Sequence, residues 1–459
     1  MATKYDAIVI GTGQAGPSLA VRLAETGMKV AIIERKRFGG TCVNNGCIPT
    51  KTLIASARTA HVARLAGDYG VMIPGSITVD MKKVKARKDS LVRQSSEGVE
   101  KWLKNTQNLT VIEGQARFAD AHRVQVGGEL LEADKFFINV GGRASMPPLR
   151  GIDEVSHLNN STMMDVDFLP EHLIVIGGSY VGLEFAQMYR RFGSEVTIVE
   201  RGSRLCKRED DDISDNVKTI LEGEGIKIRL GAECIGFEKR GDKVAVQVDC
   251  KSGDKTVIGS HVLLAVGRVP NTSDLGVDQA GIEVDKRGYI QVDDQLRTNV
   301  PGVYALGDCN GRGAFTHTAY NDYEIVAANL LDGDQRRVSD RIPAYALYID
   351  PPLGRAGMSE TEVRKSGRKA LIGKMSMTQV GRAREKGETD GFMKILVDAE
   401  TKKILGASLL GIECDEVIHS ILDVMYAKAP YTMIQRAMHI HPTVSELIPT
   451  MLGELKPLE

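Results

Sequence analysis

Four apolar residues, Ala7-Ile8-Val9-Ile10, form a strand-like run that stops at Gly11-Thr12-Gly13-Gln14-Ala15-Gly16. The next stretch, SLAVRLAETG, spaces its apolar side chains as a helix does, and Val30-Ala31-Ile32-Ile33 is a second strand ending at Glu34. Strand, Gly-rich turn, helix, strand and acid in this register predict a dinucleotide-binding unit. The first Gly of such a turn bends the chain, the second lets backbone approach a pyrophosphate, and the third lets helix pack on strand. The helix N-terminus then faces the phosphate charge. Gly11, Gly13 and Gly16 are therefore candidate cofactor contacts, and Glu34 is a candidate acceptor from a ribose.

The same pattern returns. Leu173-Ile174-Val175-Ile176 leads into Gly177-Gly178-Ser179-Tyr180-Val181-Gly182, a helical stretch LEFAQMYRRFG, and Val196-Thr197-Ile198-Val199 ending at Glu200. A repeated unit predicts a second dinucleotide site, at Gly177, Gly178 and Gly182, although Ser179 replaces the middle Gly and narrows the approach. Glu200 suits a free ribose 2′-hydroxyl and favours NADH. Arg201 and Arg204 follow closely and suit a 2′-phosphate, which leaves NADPH open. Further on, residues 227–250 and 257–266 read as sheet strands. A polar stretch around 330–343 marks a boundary, followed by strands at 370–378, 391–398 and 403–410 and helices at 414–428 and 443–453. That ending predicts a separate α+β domain.

A length of 459 residues allows about three domains. Lysine plus arginine number 59 against 60 acids, so the net charge of -1 argues against a nucleic-acid binder, which needs a basic surplus. The longest apolar runs are short and broken by Gly, which predicts no membrane span. Residues 1–10 run straight into a strand without the features of a signal peptide. Seven cysteines in such a chain predict no structural disulfide framework, and a cytoplasmic location is expected.

The chemistry concentrates in Gly39-Gly40-Thr41-Cys42-Val43-Asn44-Asn45-Gly46-Cys47-Ile48-Pro49-Thr50-Lys51, just before the helical run KTLIASARTAHVARLA. Two cysteines can pack as small hydrophobes or contribute to a zinc site, but zinc prefers shorter spacings and needs further ligands. A position at a helix N-terminus lowers a thiol pKa and makes sulfur reactive, so a redox-active pair is the preferred reading. The isolated Cys206, Cys234, Cys250, Cys309 and Cys414 lack such a context and read as structural or incidental. The run Arg382-Ala383-Arg384-Glu385-Lys386 reads first as a solvated turn, with recognition of an acidic substrate or subunit contacts as the alternative.

This cysteine segment resembles the active-site signature of the flavin-dependent pyridine nucleotide–disulfide oxidoreductases, the family of glutathione reductase, dihydrolipoamide dehydrogenase and mercuric reductase. Val140-Gly141-Gly142, Leu264-Ala265-Val266-Gly267-Arg268-Val269-Pro270-Asn271, Val303-Tyr304-Ala305-Leu306-Gly307-Asp308 and His441-Pro442-Thr443-Val444-Ser445-Glu446 resemble its other motifs in order and spacing, with Val140 standing where the family has Thr. The resemblance covers essentially the whole chain. It implies an α/β fold with two Rossmann-like dinucleotide-binding domains and a C-terminal α+β dimerisation domain. FAD would bind residues 1–150 and 270–337, NAD(P)H residues 151–269, and residues 340–459 would form the interface of a homodimer.

The resemblance also implies roles for matching positions. Cys42 would attack the substrate, and Cys47 would sit against the flavin as a charge-transfer thiolate. Lys51 and Glu184 would pair near flavin N5, and Tyr180 would cover the nicotinamide pocket until NAD(P)H enters. Gly40, Thr41, Gly141, Asp308 and the Thr316-His317 segment would contact FAD, and Lys51 and Gly267 would also be among the cofactor-binding residues. His441, polarised by Glu446, would be the general acid–base, supplied by the partner subunit. A His held by a carboxylate suits that task on chemical grounds too, because a disulfide reduction releases a thiolate that needs a proton.

Family resemblance leaves the electron acceptor open. The chain ends GELKPLE, without the C-terminal cysteine pair that mercuric reductases use, and it carries the His441–Glu446 pair that they generally lack. A soft metal needs thiolates, whereas disulfide cleavage needs an acid. A small-molecule disulfide is therefore the favoured substrate. Reduction of Hg(II) or Cu(II), and reoxidation of a protein-bound lipoyl group in a multienzyme complex, are the alternatives.

Overall fold

Apolar runs of four or five residues bounded by Gly and acids have room for a buried parallel strand and little else. The computed structural model, which describes residues 2–233, 235–249 and 254–459, turns each of the runs read above into such a strand. Cys234 and Cys250 lie outside the described residues.

Among the described residues, the strands Leu109–Glu113, Val30–Glu34, Thr3–Ile10, Glu129–Ile138 and Val303–Ala305 lie side by side in parallel. A hairpin, Ala116–Asp120 and Arg123–Val126, extends this sheet antiparallel to the start of Glu129–Ile138. The strand nearest the end of this domain in sequence thus returns from more than 160 residues away to pair beside Ile138. A second parallel sheet runs Lys227–Arg229, Glu195–Val199, His172–Ile176 and His261–Leu264. Beside it lies an antiparallel meander, Ile235–Arg240, Lys243–Val248 and Thr256–Gly259. Two crossing segments, Gly142–Ala144 and Arg268–Pro270, pair with each other and join the two sheets' domains.

The C-terminal part builds one antiparallel sheet from Ala344–Leu347, Leu353–Gly357, Ile404–Leu410, Phe392–Asp398, Ala370–Ser376 and Lys456–Pro457. The helices Cys414–Tyr426 and Ile448–Gly453 cover it, and Phe392–Asp398 is buried along its whole length. The longest helix, Met81–Lys104, falls in a stretch too polar to announce itself by hydropathy. It lies against the helix Cys47–Leu65 and buries Met81, Val92 and Leu103. None of the helices among the described residues is long and apolar enough to cross a membrane.

Candidate active site

Both Gly-rich turns are built on the same contacts. A Cβ on Gly16 would sit 2.1 Å from Gly11 O, and one on Gly182 would sit 2.1 Å from Gly177 O. Gly11 and Gly177 adopt φ of 103° and 115°, conformations that favour glycine. Glu34 Oε2 accepts from the Thr12 N–H at 3.0 Å and from the Thr12 hydroxyl at 2.6 Å. Glu200 Oε2 accepts from the Gly178 N–H at 2.6 Å, again across 22 residues, and its other oxygen accepts from Gly202 N–H at 2.5 Å. Each acid therefore clamps its own turn, and that takes up part of the acceptor capacity expected to meet a ribose. Arg204 is engaged by Asp211.

The turns differ at one residue that sequence reasoning missed. Asn139 Oδ1 accepts from Gly16 N–H at 3.0 Å, and its amide donates to Leu306 O at 3.0 Å. A Cβ on Gly13 would lie 2.8 Å from that Oδ1, so Gly13 has no room to change. At the second turn the corresponding backbone contact to Gly177 comes from Ala265. With a methyl in place of a carboxamide, the space that excludes a side chain at Gly13 is open to Ser179.

A cavity of about 1300 Å³ runs from the first turn past the cysteines to Tyr180 and Tyr348. Gly11, Gly13, Glu34, Gly40, Thr41, Gly141, Asp308, Thr316 and His317 line it, whereas Gly16, Gly267 and the second turn's Gly177, Gly178 and Gly182 do not. A cavity bordered by a glycine-rich turn at a helix N-terminus, with the partly buried acid Asp308 and both thiols in its lining, fits FAD. Burial pushes the Asp308 carboxyl up, with Arg268 at 3.4 Å opposing. His317 Nε2 meets Ala344 O at 2.7 Å, and desolvation lowers its pKa.

Cys42 lies in the short helix Gly40–Asn44, and Cys47 opens the helix Cys47–Leu65. Both are free thiols, and they share a hydrogen bond. The Cys42 thiol, chiefly by donating to Cys47, holds the Cys47 pKa down at about 6 against the effect of burial. The Thr316 hydroxyl, 3.0 Å from Cys47 Sγ, and the Lys51 ammonium help. The Cys42 pKa is raised in return by that hydrogen bond and by burial. Cys42 is thus the thiol that holds its proton more firmly, and Cys47 the one that ionises first. By contrast, Cys206, Cys309 and Cys414 are buried, and burial raises each thiol. Such thiols are inert.

Lys51 Nζ meets Glu184 Oε2 at 2.7 Å beside the thiols. Tyr180 borders the same cavity from the first residue of the helix Tyr180–Phe192. His441 stands apart. Its Nδ1 donates to Glu446 Oε2 at 2.8 Å, which leaves Nε2 free to handle a proton, and its side chain is 79% exposed on the C-terminal domain. It does not line the cavity of its own chain. His439 is tied to Ser445 O at 3.0 Å. The basic run at 382–386 is largely paired on the surface, Arg382 with Glu385 and Lys386 with Glu413, as a solvated turn would be.

Residues 5–322 match the sequence pattern of the pyridine nucleotide-disulphide oxidoreductases, and residues 343–452 match that family's dimerisation domain. Over 462 residues the chain is 36% identical to a probable pyridine nucleotide-disulfide oxidoreductase, RclA, of Escherichia coli, covering 99% of this chain and 100% of that one. It is 35% identical to a dihydrolipoyl dehydrogenase of Thermus scotoductus (96% and 95% covered) and 31% identical to a mercuric reductase of Streptomyces lividans (97% and 95% covered). The solved Cu(II) complex of the E. coli HOCl-induced flavoprotein disulfide reductase RclA superposes with a TM-score of 0.90 at 35% identity, covering 98% of this chain and 99% of that one.

Proposed function

The chain belongs to the pyridine nucleotide–disulfide oxidoreductase family, as an enzyme that uses FAD and NAD(P)H with a C-terminal dimerisation domain, and we propose that it reduces a low-molecular-weight disulfide. The observation that carries the reading is the thiol pair, two free thiols lining one cavity beside the Lys51–Glu184 ion pair, with Cys47 the more readily ionised of the two. When bound, NAD(P)H and FAD supply the electron pair that returns an oxidised Cys42–Cys47 pair to two thiols.

Cys42 loses its proton to His441 of the partner subunit and attacks the substrate disulfide. The S–S bond of the substrate breaks, a bond to Cys42 Sγ forms, and His441 returns the proton to the departing thiolate. The Cys47 thiolate then attacks Cys42 Sγ, breaks the bond to the substrate sulfur, releases it as a thiolate that takes its proton from solvent, and closes the Cys42–Cys47 disulfide. Glu446 fixes the imidazole so that Nε2 carries the proton. Tyr180 covers the nicotinamide pocket, and Lys51 with Glu184 sets the charge beside the thiols. The wide exposure of His441 and its absence from its own chain's cavity support a site shared across a two-fold interface.

We further assign FAD to residues 1–150 and 270–337, NAD(P)H to 151–269 and the interface to 340–459. The pairing of Val303–Ala305 with Glu129–Ile138 supports this division. NADH is the preferred nucleotide, because Glu200 faces the second turn and Arg204 is engaged by Asp211. The cysteine usage supports a cytoplasmic site of action. One observation favours a second reading, reduction of a soft metal ion by the same thiols: the similar E. coli RclA was solved as a Cu(II) complex.

The test is steady-state oxidation of NADH and NADPH by the FAD-loaded enzyme against small disulfides, Cu(II) and Hg(II), with Cys42→Ser as control. A Cys42-dependent rate near 10 s⁻¹ or more on one disulfide, a rate typical of an enzyme on its own substrate, supports the disulfide reading. Fast Cys42-dependent metal reduction with sluggish disulfide turnover replaces it with the second.

A further inference from the structure

Tyr180 donates its hydroxyl to Glu209 Oε1 at 2.5 Å. Glu209 belongs to a different segment, just ahead of the helix Asp211–Gly223, and its side chain has 0% exposure. A buried carboxylate is costly unless paired and hydrogen-bonded. Two groups of the C-terminal sheet answer it. The Tyr345 hydroxyl donates to the same Oε1 at 2.8 Å, and the Arg355 guanidinium faces Oε2 at 3.3 Å. Arg355 is itself anchored by Ser408 Oγ at 2.6 Å and Ala407 O at 3.3 Å. Tyr345 is fixed from its other side by a stack on Phe315, with ring centroids 5.3 Å apart. Of the three groups around Glu209, two hydroxyls that donate and one guanidinium that supplies charge, Tyr345 and Arg355 are held from elsewhere, and Tyr180 is on the side chain that borders the cavity. If Tyr180 departs, the carboxylate keeps a hydrogen bond and a counter-charge.

We propose that Glu209 is a positioning residue that latches Tyr180 in its closed place, with Tyr345 and Arg355 holding the carboxylate when the latch opens. The proposal rests on the reading of Tyr180 as the nicotinamide cover. The latch competes with NAD(P)H, because a charge-assisted hydrogen bond favours the closed form and the nucleotide binds the open one. Tyr345 competes with Tyr180 for one oxygen, so the two hydroxyls act in opposite directions.

The experiment measures the KM for NAD(P)H and the rate of flavin reduction in holoenzyme carrying Tyr180→Phe, Tyr180→Ala, Tyr345→Phe, Glu209→Gln and the Tyr180→Phe/Tyr345→Phe pair. Tyr180→Phe is expected to lower KM about tenfold, the scale of one hydrogen bond to a charged acceptor. Glu209→Gln is expected to shift KM in the same direction. Tyr345→Phe is expected to raise KM, and to lose that effect once the Tyr180 hydroxyl is gone. If Glu209→Gln does not fold, the tyrosine cycle still decides. Unchanged KM in Tyr180→Phe with altered KM in Tyr180→Ala overturns the latch and leaves the cover reading standing. Unchanged KM and flavin reduction in Tyr180→Ala overturns the cover reading itself. A shift of the same sign in Tyr180→Phe and Tyr345→Phe points to packing and overturns the latch.

Discussion

Lys51 and Glu184 meet at 2.7 Å and join the helix that Cys47 opens to the helix that Tyr180 opens. The ammonium also lies 4.4 Å from the centre of the Tyr348 ring, and the second carboxylate oxygen accepts from Tyr348 N–H at 3.1 Å. The pair acts on Cys47 with opposite signs, Lys51 favouring the thiolate and Glu184 opposing it. Glu184→Gln should therefore lower the Cys47 pKa, and Lys51→Met should raise it. Ultraviolet thiolate titration of the reduced protein reads both shifts, and shifts of equal sign would contradict the assignment.

The Cys47 thiol ionises at about 6 in the folded chain, below its ordinary 9.0. A lowered folded value stabilises the fold fully above the ordinary pKa, and that contribution is lost as pH falls through the folded one. The reduced wild type should thus lose stability relative to Cys47→Ser between pH 9 and pH 6, as read by urea midpoints. In Cys42→Ala the largest cause of the shift is gone, so the titration midpoint should rise.

His441→Ala should slow disulfide turnover by about 100-fold or more, the usual worth of a positioned acid–base, while NAD(P)H still reduces the flavin. Hybrid dimers of Cys42→Ser and His441→Ala subunits test where the proton comes from. If His441 serves the partner, each hybrid carries one intact site and activity returns on mixing. If it serves its own chain, no intact site exists and mixing restores nothing.

Gly16 and Gly182 occupy the same place in the two turns, each facing a carbonyl that a Cβ would strike at 2.1 Å. Gly16→Ala should yield protein that no longer retains FAD. Gly182→Ala should keep the flavin, visible by its absorbance, yet lose reduction by NAD(P)H. Equal loss of flavin in both would mean that the turns do not serve separate ligands.

Lys394 is 1% exposed and touches Asp210, Asp212 and Glu360 at 2.9–3.0 Å, tying the nucleotide domain to the C-terminal sheet. Burial opposes the Asp210 charge, but the Thr361 and Glu360 N–H groups and Lys394 bring its pKa down to about 2. Lys394→Met leaves the buried Asp210 without its cation, while Asp212 keeps Lys374 and Glu360 keeps Arg364. It should cost about 3–5 kcal/mol of stability, the range for breaking a buried pair, measured by urea denaturation.

The two turns, the cysteine segment and the C-terminal strands were legible because each is a local pattern: strand spacing, glycine spacing, or sulfur at a helix start. What escaped is single polar residues whose partners are far along the chain. Asn139 ends an apolar strand and bonds Gly16 across 123 residues, and nothing in its neighbourhood marks it. Glu209 sits among the charged residues Lys207, Arg208, Asp210 and Asp211, yet it is wholly buried, because Tyr345 and Arg355 arrive from the C-terminal sheet. Glu34 and Glu200 were legible as acids in the right place, but their hold on the turn's own N–H groups was not.

The exchange of Asn139 for Ala265 sets the two turns apart in stiffness. At the first turn a carboxamide stitches Gly16 to Leu306, so the start of the helix is fastened to a distant strand end. At the second turn a methyl stitches nothing, and the turn relies on its backbone contact to Ala265 and on Glu200. One fold motif used twice is fastened differently each time.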